Sequence, residues 1–440
     1  MQLRRKFYDR LLEWKAKGTH ECLLVNGARQ VGKTYIIEQF GMAEYESYLC
    51  INFLKNPEHK AIFEGSLEPS EIYKRMSLYV SNVKLVPGST LIFLDEIQAC
   101  KKARTALKFL ALDGRYDIVA SGSLLGIHYK GEDDAPPDEV SVPVGYEREV
   151  RMHALDFEEY LWACGVGEEA IQTLRNFART AERIPDQALR RYQDLLREYL
   201  VIGGMPEVVS TFLDTQNFDE AFQTQEKILN AYEDDVDKYA SNTDKPKIMR
   251  LYRSVPRQLA KENTKFQYSK VERGGSARKF GTAIDWLIDA GLVCDVHNVS
   301  VPLLPLTAYE EPDEFKIYVT DTGLLTHLFG RETQVALVRN TLKGPAKGGI
   351  YENLVFDLLH KREIVVHYYK RANNSQEIEF LMERDGEVVP VEVKSSNGAT
   401  VSLNAFMERF EPTVAFKLVD GNSGKNGQKV TLPQFMGMFL

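Results

Sequence analysis

The feature that most constrains this chain is the stretch Leu23-Leu24-Val25-Asn26-Gly27-Ala28-Arg29-Gln30-Val31-Gly32-Lys33-Thr34. An apolar run with the pattern of a buried strand enters G-x-x-x-x-G-K-T, and Tyr35 to Phe40 continues as a helix-like segment. Strand, glycine-rich turn and helix is the order that a phosphate-binding loop requires. Glycine lets the backbone turn so tightly that several main-chain N–H groups face one anion. The N-terminus of the following helix adds partial positive charge at the same point. Gly27, Ala28, Arg29, Gln30, Val31, Gly32, Lys33, Thr34 and Tyr35 are therefore the expected ATP-binding residues. Lys33 is expected to reach the β- and γ-phosphates, and the Thr34 hydroxyl to hold Mg²⁺. The competing reading is a glycine-rich surface turn, which the flanking strand and helix patterns disfavour.

A nucleotide site of this kind also needs acids at the end of a neighbouring strand. Thr90-Leu91-Ile92-Phe93-Leu94-Asp95-Glu96 supplies them, roughly sixty residues after the loop. It reads as a buried parallel strand whose C-terminal end meets a ligand crevice. Asp95 is expected in the Mg²⁺ shell, and Glu96 is expected to polarise the attacking water. After a helical stretch from Ala103 to Leu112, Asp117 to Ser123 forms another apolar strand ending in small hydroxyl residues. Ser121 and Ser123 either sense the γ-phosphate or cap the next helix.

Composition excludes several classes. With 44% hydrophobic and 27% charged residues over 440 positions, the chain reads as a soluble globular protein of two to four domains. Its net charge of −8 leaves any nucleic-acid contact to a local basic patch. The five cysteines (Cys22, Cys50, Cys100, Cys164 and Cys294) form no C-x-x-C pair. That argues against structural zinc and disulfides, and for a reducing compartment. No run approaches ~18 apolar residues, so a cytoplasmic protein with no membrane partner is expected.

Three motifs taken together resemble a known family: Gly27 to Thr34 (GARQVGKT), Leu94 to Gln98 (LDEIQ) and Ser121 to Ser123 (SGS). They are similar to the prokaryotic AAA-type ATPases in which the ATPase is fused to a C-terminal domain of unknown function. Asp156-Phe157-Glu158-Glu159-Tyr160 and Tyr199 to Val208 (YLVIGGMPEV) extend the resemblance over nearly the whole chain. The resemblance implies a RecA/AAA-like parallel sheet, ATP as ligand, and a winged-helix and nuclease-like tail. In that family Gly-Arg usually precedes the Asp-Phe segment, whereas here Gly145 is followed by Tyr146-Glu147-Arg148. Arg148 or Arg151 is then the arginine-finger candidate, against the alternative of a surface arginine. Before them, Gly131 to Glu139 reads as an acidic, solvated surface loop.

Residues 161–240 carry helical patterns expected to form a lid and connector of the ATPase core at 1–160. Residues 241–335 then read as helix, helix, helix and a two-stranded wing, the winged-helix pattern. Between 241 and 280 there are eleven Lys or Arg against three acids, an asymmetry suited to a phosphate backbone. Arg278 and Lys279 open the expected recognition helix and are the candidate DNA contacts. Intramolecular packing with a solvated basic face is the alternative.

Residues 345–440 form the last expected domain. Glu377 to Leu381 and Val388 to Lys394 flank an Asp-Gly turn, a strong hairpin signal. Glu379, followed after twelve residues by Glu392-Val393-Lys394, resembles the acid … acid-x-Lys motif of the restriction-endonuclease-like superfamily. The resemblance implies Mg²⁺ on Glu379 and Glu392, water oriented by Lys394, and Glu352 completing the site from a preceding helix. The expected protein is an α/β, ATP-binding and ATP-hydrolysing enzyme that acts on DNA, as a nucleotide-gated binding switch or a processing nuclease. The alternative is a protein-interaction, signalling or defence ATPase with an inactive nuclease fold. An oligomer is compatible with either.

Overall fold

The computed structural model describes residues 2–80, 84–123, 145–261, 264–371, 376–396, 398 and 400–440. The acidic loop expected at 131–139 lies outside them. The chain divides into two compact units, one of Arg5–His153 with Asp289–Gly291 and one of Ala154–Ile288 and Leu292–Leu440 together with the residues up to Arg4.

In the N-terminal unit, α1 (Lys6–Lys17) buries Phe7, Leu11 and Trp14 at helical spacing. Five strands follow: β1 (Cys22–Asn26), β2 (Ser47–Asn52), β3 (Thr90–Asp95), β4 (Asp117–Ser121) and β5 (Glu147–Arg151). They pair in the order β2-β3-β4-β1-β5, and every pairing is parallel. The central strands β1 and β3 are buried at every position, as a sheet covered on both faces requires. Helices α2 (Lys33–Glu44), α3 (Pro69–Tyr79) and α4 (Lys101–Asp113) supply that cover. Parallel pairing brings the C-terminal ends of β1, β2, β3 and β4 to one edge, which positions the site.

The C-terminal unit begins with α5 (Phe157–Ala163), whose N-cap Asp156 and Glu159 form a reciprocal capping box. Four longer helices follow: α6 (Glu168–Thr180), α7 (Asp186–Ile202), α8 (Pro206–Thr215) and α9 (Phe218–Tyr239). These were expected to be a lid and connector of the ATPase. They belong to the C-terminal unit, where Gln193 donates to Asp420 (3.0 Å) and Asn422 donates to the Ile184 carbonyl (2.7 Å).

Next come α10 (Lys245–Tyr252), α11 (Val255–Leu259), α12 (Tyr268–Val271) and α13 (Ala277–Asp289), and then the hairpin of β6 (Val293–Val299) and β7 (Glu310–Val319). The hairpin is continued into a larger sheet on its β6 side. After α14 (Thr322–Phe329), α15 (Arg331–Val338) and α16 (Pro345–His360), strand β8 (Val366–Lys370) pairs with β6. With β9 (Glu377–Arg384), β10 (Glu387–Lys394), β11 (Ala415–Val419), β12 (Gly424–Asn426) and β13 (Lys429–Pro433), one sheet runs β12-β13-β11-β10-β9-β8-β6-β7. The regions expected as separate domains at 241–335 and 345–440 thus share a single sheet. Their union covers the main-chain groups that an unpaired β8 edge would leave open.

A buried polar knot explains two of the sequence motifs. Lys361 donates to Tyr199 (2.9 Å), to Asp357 (2.9 Å) and to the Leu155 carbonyl (3.2 Å). Asp321, the N-cap of α14, accepts the Gly204 N–H at 2.7 Å. A Cβ on Gly204 would lie 2.0 Å from the Leu155 oxygen, and one on Gly203 would lie 2.2 Å from Asp321 Oδ1. The Gly-Gly-x-Pro sequence therefore ends α7 and also lets three segments meet.

Candidate nucleotide site

The loop between β1 and α2 turns through left-handed backbone at Gln30 (φ 65°) and Gly32 (φ 94°). Gly27 is held against the end of β5, and a Cβ there would meet the Met152 oxygen at 2.3 Å. Arg5 fixes the same region, donating to the Val31 carbonyl (3.0 Å) and the His153 carbonyl (2.6 Å). Ala28 and Arg29 are half-buried, and Gln30 and Tyr35 are exposed.

Lys33 begins α2 and turns back over the loop, donating to the carbonyls of Gly27 (3.0 Å) and Ala28 (2.8 Å). Both acceptors are neutral. Burial brings its ammonium down to about 8, while Glu96 and Asp95 pull it the other way. A cation held by neutral carbonyls at a helix N-terminus suits a phosphate.

Asp95 ends β3, and three side chains converge on it. Thr34 approaches both carboxylate oxygens at 3.2 Å. Asn52 donates to Oδ2 at 2.7 Å, and Ser121 donates to Oδ1. The hydroxyl and carboxylate expected to share Mg²⁺ are thus adjacent, so the residues present fit that ion. When bound, Mg²⁺ would supply charge neutralisation for a triphosphate at Thr34 and Asp95. Glu96 follows in left-handed backbone (φ 56°), and its carboxylate accepts Gln98 Nε2 at 2.5 Å.

Of the two expected sensors, Ser121 is buried against Asp95 and Ser123 is half-buried at the end of the described β4 segment. Arg148 is exposed on edge strand β5, paired with Leu23. Sequence reasoning missed Arg5, Asn52 and Gln98. Asn52 was the most findable, because it closes a strand and stands opposite Asp95 in the parallel register.

The C-terminal cluster also assembles. Lys394 lies between Glu392 (3.1 Å) and Glu379 (3.4 Å). Burial lifts the Glu379 carboxyl to about 7; Lys394 opposes the rise, and Glu352 and Glu392 add to it. Glu352 is held by buried Lys316 (2.7 Å), which also pairs with Glu377 (2.6 Å), a lysine the sequence reading had not connected to this site. Among the described residues, no group of three or more His, Cys, Asp or Glu is arranged to hold a metal ion. Arg278 and Lys279 are both exposed, and Lys279 pairs with Glu272 (2.5 Å). No helix among the described residues is long and apolar enough to cross a membrane.

Comparison with known proteins finds three family models along the chain. An AAA domain family matches residues 19–161, and two domains of unknown function (DUF8612 and DUF4143) match residues 193–335 and 347–432. No curated protein matches the chain. Among solved structures, a Walker-type ATPase of Pyrococcus abyssi is 13% identical, with a TM-score of 0.43 over 74% of this chain and 96% of its own. AMPPCP-bound DnaA from Aquifex aeolicus is 15% identical, with a TM-score of 0.30 over 64% of this chain and 86% of its own. The Thermotoga maritima RuvB Holliday junction branch migration motor is 14% identical, with a TM-score of 0.27 over 70% and 96%. At such TM-scores these three carry none of the argument, which rests on the domain match and on Lys33, Thr34 and Asp95. Residues 19–161 of this chain are a P-loop ATPase domain of the AAA type.

Proposed function

We propose that this chain hydrolyses ATP at the loop between β1 and α2, and that the nucleotide state sets how tightly its C-terminal unit holds DNA. The observation that carries the ATPase half is the convergence of Thr34, Asn52 and Ser121 on Asp95, beside a Lys33 that has only neutral acceptors. In this reading the main chain from Gly27 to Thr34 cradles the phosphates, and Lys33 exchanges its loop carbonyls for phosphate oxygens. Thr34 and Asp95 would hold Mg²⁺, and Asn52 keeps the Asp95 carboxylate turned toward Thr34. Glu96 orients the attacking water and accepts its proton, with Gln98 fixing the carboxylate. Ser121 is the sensor, since its hydroxyl already reports on Asp95; Ser123 and the arginine finger Arg148 complete the assignment.

A Glu96→Gln chain should bind ATP as the parent does and lose at least about a hundredfold in turnover, the range of a lost general base. Turnover equal to that of the parent would defeat the mechanism.

DNA binding is supported by the basic surplus around α11 and α12, where Arg257 and Lys270 lie close enough to Lys261 to lower its pKa after burial has done so. It predicts salt-sensitive binding that differs between ATP and ADP. A second reading, Mg²⁺-dependent DNA cleavage, is favoured by Glu392, whose buried Oε2 has no hydrogen-bond partner among the described residues. It predicts nicking that is lost in Lys394→Ala. We place the binding switch ahead of it, because Lys394 lies between the two acids that would have to take the ion.

A further inference from the structure

Beside the Glu379–Glu392–Lys394 cluster stand two lysines that belong to no ion pair among the described residues. Lys417 of β11 is Glu392's neighbour in the parallel register with β10. It is buried, 8% exposed, and its Nζ donates to the Gly398 carbonyl at 2.8 Å. Lys429 opens β13 and is paired with Ala415. Residues two apart on a strand share a face, so Lys429 falls on the same side as Lys417. Its ammonium reaches Asn404 Oδ1 (2.9 Å) and Thr400 Oγ1 (3.4 Å), which are again neutral.

Neither lysine hydrogen-bonds the nearby acid, although both lie within its field. Glu392 Oε2 is buried without a hydrogen bond, although Lys417 is close enough to feel its field. Lys429 and Lys394 both lie close enough to repel the Lys417 ammonium. Packing like charges together and away from water costs free energy that a neutral side chain would not. An anion seated between them removes that cost.

We propose that Lys417 and Lys429 bind a phosphodiester group of a nucleic-acid strand, holding its backbone beside Glu379, Glu392 and Lys394. The diester is favoured over free phosphate because the adjacent carboxylates repel a dianion more than a group with one negative charge. Two ammonium groups on neighbouring strands supply point charges to different oxygens of one phosphate. The inference rests on the nucleic-acid reading above and adds a site to it.

The test is fluorescence anisotropy of the full chain with a labelled duplex across a salt series. Each phosphate that the chain neutralises contributes about 0.9 to the slope of log affinity against log salt. Lys429→Gln should lower that slope, Lys417→Gln with Lys429→Gln should lower it by about 0.9 in all, the share of the one phosphate they hold, and Lys429→Arg should keep it. Lys429 is half-exposed at a strand start, so its single variant reads the site even if the double variant fails to fold. An unchanged slope in Lys429→Gln, in a chain whose binding is lost on charge reversal at Lys261 and Lys270, overturns this site and leaves the wider reading standing. Inorganic phosphate that displaces the duplex as well as a dinucleotide does overturns the diester. A parent chain that binds no duplex at all sinks the wider reading instead.

Discussion

At single positions, the chain spends its unusual chemistry in two places. Gly27 has a backbone φ of 151° and room for no Cβ, because the Met152 oxygen would lie 2.3 Å away. Gly27→Ala should push the loop off β5, cost about 2–4 kcal/mol, and abolish ATP binding measured by calorimetry. Gly281 lies inside α13 with nothing near its missing Cβ. There the same change should raise the melting temperature, by about 0.5–1 kcal/mol of stability.

Asp357 is the second place. Burial lifts its carboxyl to about 7, with Lys361 opposing and Asp321 adding to the rise. Its folded value is above its unfolded one, so the folded state binds the extra proton between about 4 and 7, and stability falls as pH rises through that window. Asp357→Asn removes the titration. Its stability relative to the parent should therefore improve by on the order of 2–3 kcal/mol between pH 5 and pH 8, read from thermal melts at each pH. A flat difference across that range would mean that Asp357 stays ionised throughout.

At the scale of elements, strong patterns were legible and compensated ones were not. The strand–loop–helix of the nucleotide site, the Asp95 strand and the hairpin around Asp385-Gly386 all follow from buried runs bounded by turn residues. Strand β5 could not be read this way. Its sequence Glu147-Arg148-Glu149-Val150-Arg151 has one apolar residue, because an edge strand exposes much of its surface. Asn52 and Gln98 were invisible for another reason, since hydrogen bonds to Asp95 and Glu96 need coordinates, not periodicity.

The basic segment shows the limit of counting charges. Of its eleven cations, six pair with acids among the described residues: Lys245, Lys247, Arg250, Arg253, Lys265 and Lys279. Three of those acids, Asp237, Glu233 and Glu314, lie outside the stretch that was counted. The surplus is therefore concentrated on Arg257, Lys261 and Lys270, together with Arg273 and Arg278. Lys270→Ala should lower the salt slope of DNA binding by about 0.9, and Lys279→Ala by less, since Glu272 already holds that ammonium. Equal slopes for the two variants would mean that the Lys279–Glu272 pair opens on DNA.

At the scale of the whole molecule, the number of folding units is set by which charges and edges need covering. Composition allowed two to four domains, and local patterns suggested cuts at 160, 240 and near 340. No local pattern reveals that β6 pairs with β8, or that buried Lys316 of β7 finds Glu352 on α16 and Glu377 on β9. A fragment beginning at 345 would keep Glu352 and lose Lys316, the cation that neutralises it, would leave Glu377 with Lys370 alone, and would open the β8 edge to solvent. Leaving buried carboxylates without their partner costs several kcal/mol, a large share of what a domain of this size has to spare. That fragment should therefore melt without cooperativity and bind hydrophobic dye. A fragment beginning at 154 keeps the Lys361–Asp357–Tyr199 knot as well as the complete sheet, and it should unfold in one cooperative transition by calorimetry. Cooperative melting of the shorter fragment would show that the 345–440 region carries its own core after all, and that the shared sheet is an addition to it.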